Sequence, residues 1–464
     1  MYRFYINKVK NINPFAELIR VFLDDDAFET IAIDWNDADS LQLTDNSYLL
    51  NGEHASDQDE LKRKLYHLLV ELTGKTSKWG TLTGVRPLKP LYQLYLDNGR
   101  DIEKAASAMA ERYLISDDKL NMLQEILQYQ VKHVNGTASD RVSIYVGIPF
   151  CPSRCSYCAF AADVAPSHDV VRKYLNLLLE EVRYVGAHLP ETPVESLYFG
   201  GGTPTSLKPE ELGLLIDTVC ASFHIDLNEI ECTVEAGRPD TINHKTLSML
   251  RDRGVRRISV NPQSLKDRTM ELIGRHHTAE QTIQAIRLAH EFGFEVINSD
   301  VIAGLPEESL DDFRHTLDTL IGLKVQNITV HTLSVKRGSR LREADPEYYR
   351  RYGALVTDML DHAAGTLRAN GYHPYYIYRQ KHQIGALENI GWCLDRTHSL
   401  YNIRTMEDKQ TILGLGAGAI GKLYFPAEDR IERVANIANY TVYMDRCDEI
   451  LERKKEYFGG KHGY

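Results

Sequence analysis

Tyr145-Val-Gly-Ile-Pro-Phe-Cys151-Pro-Ser-Arg-Cys155-Ser-Tyr-Cys158-Ala-Phe160 places three cysteines at the spacing C-x3-C-x2-C, directly after an apolar, β-branched run from Val142 to Ile148. The run reads as a strand, and Pro149 ends it because proline cannot donate to a sheet ladder. Thiolates are the soft ligands that select iron–sulfur clusters and zinc. A cubane cluster normally takes four of them, so three on one loop hold three irons and leave the fourth open. An open iron can chelate the amino and carboxylate groups of S-adenosylmethionine, which starts radical cofactor chemistry. Zinc would want a second Cys or His pair at ligand spacing, and none stands near. A disulfide would leave one thiol over. The pattern predicts one 4Fe–4S cluster on Cys151, Cys155 and Cys158, with adenosylmethionine on the open iron.

Outward from this loop the chain alternates. Strand-like runs fall at about 142–148, 195–199, 231–235, 256–260, 295–302 and 327–333. Helical patterns fill the gaps at about 168–188, 209–222, 241–253, 279–292 and 310–322. Six β/α units in sequence predict parallel strands with crossover helices, an α/β core arranged as a partial (β/α)6 barrel. Chemistry in such barrels sits at the carboxyl ends of the strands. Unusual residues do follow each one: the cysteine loop, Gly200-Gly-Gly-Thr203-Pro-Thr205, Glu235, Asn261-Pro-Gln263 with Arg275 beyond, Asn298 and Asp300 on one face, and His331 with Ser334. The glycines would let a ligand lie against backbone groups. Adenosylmethionine presents an amine, a carboxylate and a ribose diol. These call for an acid, for the planar fork of arginine, and for Asp, Gln or Asn. Glu235, Arg275, Gln263 and Asp300 supply that set; interior ion pairing, Glu235 with Arg275 above all, is the alternative use.

The order of Tyr145, the three cysteines, Gly-Gly-Gly-Thr-Pro, Glu235, Gln263, Arg275 and Asp300-x-x-x-Gly304-Leu-Pro306 resembles the HemN-type oxygen-independent coproporphyrinogen III oxidases of the radical SAM superfamily. The likeness covers about 140–335 and extends more weakly towards 425. The long amino-terminal segment and Gly371-Tyr-His-Pro-Tyr-Tyr-Ile-Tyr-Arg379 are similar to the HemZ subgroup of coproporphyrinogen dehydrogenases. The resemblance implies that Tyr145, Gly201, Gly202 and Thr203 line the cofactor, the last three at its methionyl amine end. It implies that Glu235 and Arg275 serve the amino-acid portion and Gln263 and Asp300 the ribose. It further implies oxidative decarboxylation of the propionates of coproporphyrinogen III, a tetrapyrrole, with a ferredoxin or flavodoxin as electron donor. Candidate cations for the propionates are Arg238, Lys336, Arg337, Arg340 and Arg379. Two positions depart from the family pattern: a further cysteine is Phe160 here, and a histidine in the strand is Gly147. The first resembles the haem-chaperone-like branch.

The remainder bounds the setting. The chain has 464 residues, 43% hydrophobic and 26% charged, and a net charge of −11, which disfavours nucleic acid as the main partner. No apolar run approaches the ~20 residues of a membrane span and no signal peptide opens the chain. Seven cysteines, three of them clustered, predict a cytoplasmic protein, with Cys220, Cys232, Cys393 and Cys447 as small buried residues. Residues 1–138 predict an α+β accessory domain, 139–340 the core, and 341–464 a small carboxyl-terminal α+β domain. In the first, Thr83-Gly-Val-Arg86-Pro-Leu-Lys89 reads as a solvated turn leading into a helix. In the last, Gly416-Ala-Gly418-Ala-Ile-Gly421 matches a dinucleotide fingerprint but lacks a helical continuation, and reads instead as a tight turn. Tyr372 to Tyr378 could face a flat tetrapyrrole or pack as a strand. Lys454 to Tyr464 reads as a frayed tail.

Overall fold

The computed structural model describes all residues except 8, 10, 34–44, 51–57, 135–137, 161, 190–191, 337, 346 and 459–464, and the side chains of 138, 457 and 458. Two compact units make up the chain. The first is Met1–Gln130 with Ile377–Lys381 and Gly385–Leu387; the second is Val131–Tyr376, His382–Ile384 and Glu388–Tyr464.

The first unit carries a parallel sheet of β1 (Tyr2–Asn7) between β2 (Phe28–Ile33) and β3 (Ser47–Leu50). Helices Asn13–Ile19 and Gln58–Thr73 bury Phe15, Leu18, Leu65 and Leu69 in the same core as Phe4 and Ile6. The Thr83–Lys89 stretch is the expected turn, with Pro87 at the start of helix Leu88–Asp97. The first helix escaped the sequence reading because it spans only seven residues.

The second unit is built on one 11-stranded sheet. Its centre is β4 (Val142–Ile148), β7 (Val194–Gly201), β8 (Glu231–Glu235), β9 (Arg257–Ser259), β10 (Val296–Ala303) and β11 (Asn327–Thr332), parallel and in sequence order. Two short strands, β5 (Phe150–Cys151) and β6 (Asp163–Val164), close the cysteine loop between β4 and β7. β4 is buried at six of seven positions, which is why it reads as an unbroken apolar run. The crossover helix His168–His188 turns Tyr174, Leu175, Leu178, Leu179, Val182 and Val185 inward, a helical stripe. Helices Ala279–Glu291 and Leu310–Gly322 start at capping boxes on Thr278 and Ser309.

The carboxyl-terminal third extends this sheet on both flanks. Beyond β11 lie β12 (His373–Arg379) and β13 (Glu388–Cys393), the latter antiparallel to β11. Tyr375, Tyr376 and Ile377 of β12 are buried, so the aromatic run packs as a strand. On the other flank β14 (Thr411–Leu415) runs parallel to β4, followed by antiparallel β15 (Ile420–Phe425) and β16 (Arg430–Ala435). The 416–421 glycine run is the β14–β15 turn, with Gly416 and Gly418 at positive φ, not a nucleotide loop. A Cβ on Gly416 would lie 2.4 Å from the Gly147 carbonyl, so this turn packs directly on the end of β4.

The expected tail is corrected over 454–458. Lys454 belongs to helix Cys447–Phe458 and is buried, its ammonium paired with the fully buried Glu181 and donating to the Gly414 carbonyl. Glu181 also accepts from Tyr443, Asn436 and the Gly416 amide, so burial of the pair is compensated by hydrogen bonds. Residues 459–464 lie outside the described residues. Cys232, Cys393 and Cys447 are buried and Cys220 partly so. Among the described residues no helix is long and apolar enough to cross a membrane.

Candidate active site

The cysteine loop is held by backbone and side-chain contacts from three neighbouring strand ends. Asp163 and Ala165 amides donate to the Pro149 and Cys151 carbonyls. The Ser156 amide donates to Ile273, and the Ser153 hydroxyl to Gly274, both in the segment after β9. Arg238, beyond β8, forks onto Asp240 and donates to the Ser153 carbonyl. The Thr203 hydroxyl lies 3.5 Å from Cys151 Sγ. All three thiols are partly exposed, and burial, followed by its neighbours' charges, pushes the Cys158 thiol upward; Cys151 is likewise raised by burial.

Among the described residues no three His, Cys, Asp or Glu side chains converge as ligands of a single metal ion do. Zinc draws thiolates to about 2.3 Å from one centre. A cubane gives each thiolate its own iron and spaces them wider. The three thiols lie within electrostatic reach of one another, and their loop supplies the three thiolates that a cubane with one open iron takes.

Glu235 ends β8. It accepts a hydrogen bond of 2.5 Å from the Tyr198 hydroxyl on β7 and a second from the Gly201 amide. Burial pushes its carboxyl up to about 7, and the nearby Asp300 acts in the same direction. The glycines do something other than expected. A Cβ on Gly200 would sit 2.9 Å from the Glu235 carboxylate, and one on Gly202 2.5 Å from the Phe150 carbonyl. The space they vacate is filled by the protein's own acid and by the cysteine loop. The amides of Gly202 and Thr203 donate to Ile148 and Phe150, so this loop stitches β7 to the start of the cysteine loop.

Tyr145 points from β4 into the same region, its ring stacked 6.1 Å from Tyr198 and 6.1 Å from Tyr401. Gln263 follows β9 at positive φ, bridged by backbone to Val301; its amide side chain makes no hydrogen bond among the described residues. Asp300 accepts from Asn298 at 2.9 Å and faces His331 Nε2 at 3.6 Å. Burial opposes its ionisation, but the bonds from His331, Asn298 and Thr329 win and hold its carboxyl below the ordinary range. Arg275 is buried and donates to the Asn261 carbonyl and the Cys155 thiol, while its Nε has no partner among the described residues. It forms no ion pair with Glu235 among the described residues, so the interior salt bridge that sequence allowed is not made. An unpaired acid, an arginine with a donor to spare and an unbonded amide around three thiols are what a ligand bearing amine, carboxylate and diol requires. The residues fit the cofactor.

Two candidate cations are committed elsewhere. Arg238 is locked under the cysteine loop, and Arg379 donates to the Leu82 and Ala386 carbonyls and lies over the Trp79 ring. Lys336 lies near Cys158, and Arg340 is exposed at the start of helix Arg340–Ala344, whose Leu341 amide donates to the Ser156 carbonyl. Arg337 lies outside the described residues. Sequence reasoning missed Tyr198 and Tyr401. The first carried a signal, since it stands on a strand two residues before Gly200 and so shares its face; the second carried none.

Residues 145–320 match the family model of the Radical SAM superfamily. Fold and site together define a radical SAM protein, a class that uses a 4Fe–4S cluster and S-adenosylmethionine. The oxygen-independent coproporphyrinogen-III oxidase-like protein HemZ of Bacillus subtilis (strain 168) is 41% identical over 396 residues, 84% of this chain and 79% of that protein. The chain belongs to this coproporphyrinogen-III oxidase-like family of radical SAM proteins. The haem chaperone HemW of the same organism is 30% identical over 60% of this chain and 70% of its own. The solved coproporphyrinogen III oxidase (HemN) of Escherichia coli shares the fold with a TM-score of 0.51, at 20% identity over 72% of this chain and 82% of that one.

Proposed function

We propose that the chain converts two propionates of coproporphyrinogen III to vinyl groups, giving protoporphyrinogen IX without oxygen. The observation that carries this reading is the gathering of Glu235, Gln263, Arg275 and Asp300 around the cysteine loop, with polar capacity left unused at Gln263 and Arg275. In this reading Cys151, Cys155 and Cys158 hold the cluster. Tyr145, Gly201, Gly202, Thr203 and Glu235 surround the amine end of adenosylmethionine, Arg275 takes its carboxylate, and Gln263 and Asp300 take its ribose. Bound there, cluster and adenosylmethionine would supply the one-electron hydrogen abstraction that oxidative decarboxylation of a propionate requires. In this reading Lys336 and Arg340 receive the other propionates. A ferredoxin- or flavodoxin-type donor and a cytoplasmic setting belong to the same proposal.

One observation favours a second reading. Phe160, where related oxidases carry a further cysteine, is 68% exposed beside the thiols and suits a haem face. As a carrier the chain would bind haem and hand it on. An anaerobic assay with coproporphyrinogen III, adenosylmethionine and a reductant separates the two. Protoporphyrin with carbon dioxide is the expected product; no vinyl product together with stoichiometric haem binding would establish the carrier.

A further inference from the structure

Beside Glu235 stand Tyr198 and Tyr401, two tyrosines to which the proposed reaction gives no part. Tyr198, Tyr401 and Tyr145 form a triangle of near-parallel rings: Tyr401 lies 4.5 Å from Tyr198 at 24°, and Tyr145 lies 6.1 Å from each of them. The buried Tyr198 ring rests against Tyr401, and its hydroxyl donates to Glu235 Oε1. Tyr401 is itself fixed from the opposite end of the sheet. The Ser399 hydroxyl and the Leu400 and Tyr401 amides all donate to the Glu231 carboxylate, which caps helix Leu400–Glu407.

The groups facing Glu235 come from five elements. They are Tyr198 and the Gly201 amide on β7, Tyr145 on β4, Asp300 on β10, His331 on β11, and Tyr401 on the capped helix. Burial and Asp300 favour the neutral acid; Tyr198, Gly201 and His331 favour the carboxylate. Only the carboxylate attracts an ammonium group, and a hydrogen bond donated to it favours the charged form.

We infer that Tyr198 is the positioning residue that keeps Glu235 ionised and aimed at a cationic amine, with Tyr401 as the backing that holds Tyr198 in place. The inference rests on the reading of Glu235 as the amine ligand, and the experiment separates the two. Adenosylmethionine binding to the cluster-loaded protein is titrated from about pH 5.5 to 9 for wild type, Tyr198→Phe, Tyr401→Leu, Tyr401→Phe and Glu235→Gln, with iron content measured in each. Tyr198→Phe should move the acid limb of binding up by about one pH unit. Affinity should fall about tenfold near pH 6 and stay within about twofold near pH 9. Tyr401→Leu should move the limb the same way by less, and Tyr401→Phe, which keeps the ring, should leave it in place. An acid limb unmoved by Tyr198→Phe overturns the inference while leaving Glu235 its role. Undiminished binding by Glu235→Gln at every pH overturns that role itself. If Tyr198→Phe loses its iron or does not fold, the Tyr401 pair decides: equal limbs for Leu and Phe overturn the inference.

Discussion

The two ends of the central sheet carry similar residues and treat them oppositely. At the amino ends every charge named here is answered. Arg404 forks onto Glu195 at 2.8 and 3.0 Å and reaches Glu407, and Gln410 donates to Glu195. Arg257 serves Asn327 and the Thr397 and His398 carbonyls, with Glu231 3.6 Å away. Ser143 joins Ser196 and Gln410. At the carboxyl ends burial pushes the Glu235 carboxyl up to about 7, and among the described residues Arg275 Nε and the Gln263 side-chain amide make no hydrogen bond. Burying a polar group without a partner costs free energy, and a folded chain tolerates it where something other than the chain is to fill the gap. The first end holds the sheet together by paired charges; at the second, polar side chains are left without partners among the described residues.

Breaking that contrast begins with the cysteines. Replacing Cys151, Cys155 and Cys158 by Ala should take iron from about four per reconstituted chain to near zero and abolish the visible absorption. Circular dichroism should stay unchanged, because the loop is tied by Ser153, Ser156 and Arg238. Unfolding of this variant would make the carboxyl end structural too.

The two ends should then separate by readout. Arg404→Met leaves Glu195 buried without its ion pair and should lower unfolding free energy by about 3–5 kcal/mol in urea titrations. Adenosylmethionine affinity of the folded fraction should be unchanged. Asp300→Ala should do the reverse, weakening adenosylmethionine binding by about tenfold or more with stability within about 1 kcal/mol and iron content intact. Equal stability losses at both ends would erase the distinction.

The smallest effect concerns pH. An unfolded glutamate titrates near 4.3, whereas Glu235 in the folded chain is pushed up to about 7, so the native state binds more protons between those values. Stability of the cofactor-free protein should therefore fall as pH rises through that window, by on the order of 1–2 kcal/mol after allowance for its partial exposure. Glu235→Gln should flatten the slope, matching wild type near pH 4 and exceeding it near pH 8. An unchanged slope would mean that Glu235 is solvated and its end of the sheet no different from the other.

Much of this was legible in the residues alone. The C-x3-C-x2-C loop after an apolar strand, the six alternating units, and polar or glycine-rich residues after each strand are patterns of spacing and period, which a chain carries locally. Asn298 and Asp300 were on one face by alternation, and the structure joins them by a hydrogen bond. Only the tertiary structure decided the rest. It set β14 beside β4, tying Gln410 to Ser143 across 267 residues of sequence, and it spent Arg238 and Arg379 on carbonyls within the protein. It filled the glycine spaces with Glu235 and Phe150, and laid Tyr401 on Tyr198. Periodicity reports which face a side chain takes, but which partner meets it there is settled by packing between elements far apart in the chain. A buried charge becomes structural or functional through that partner.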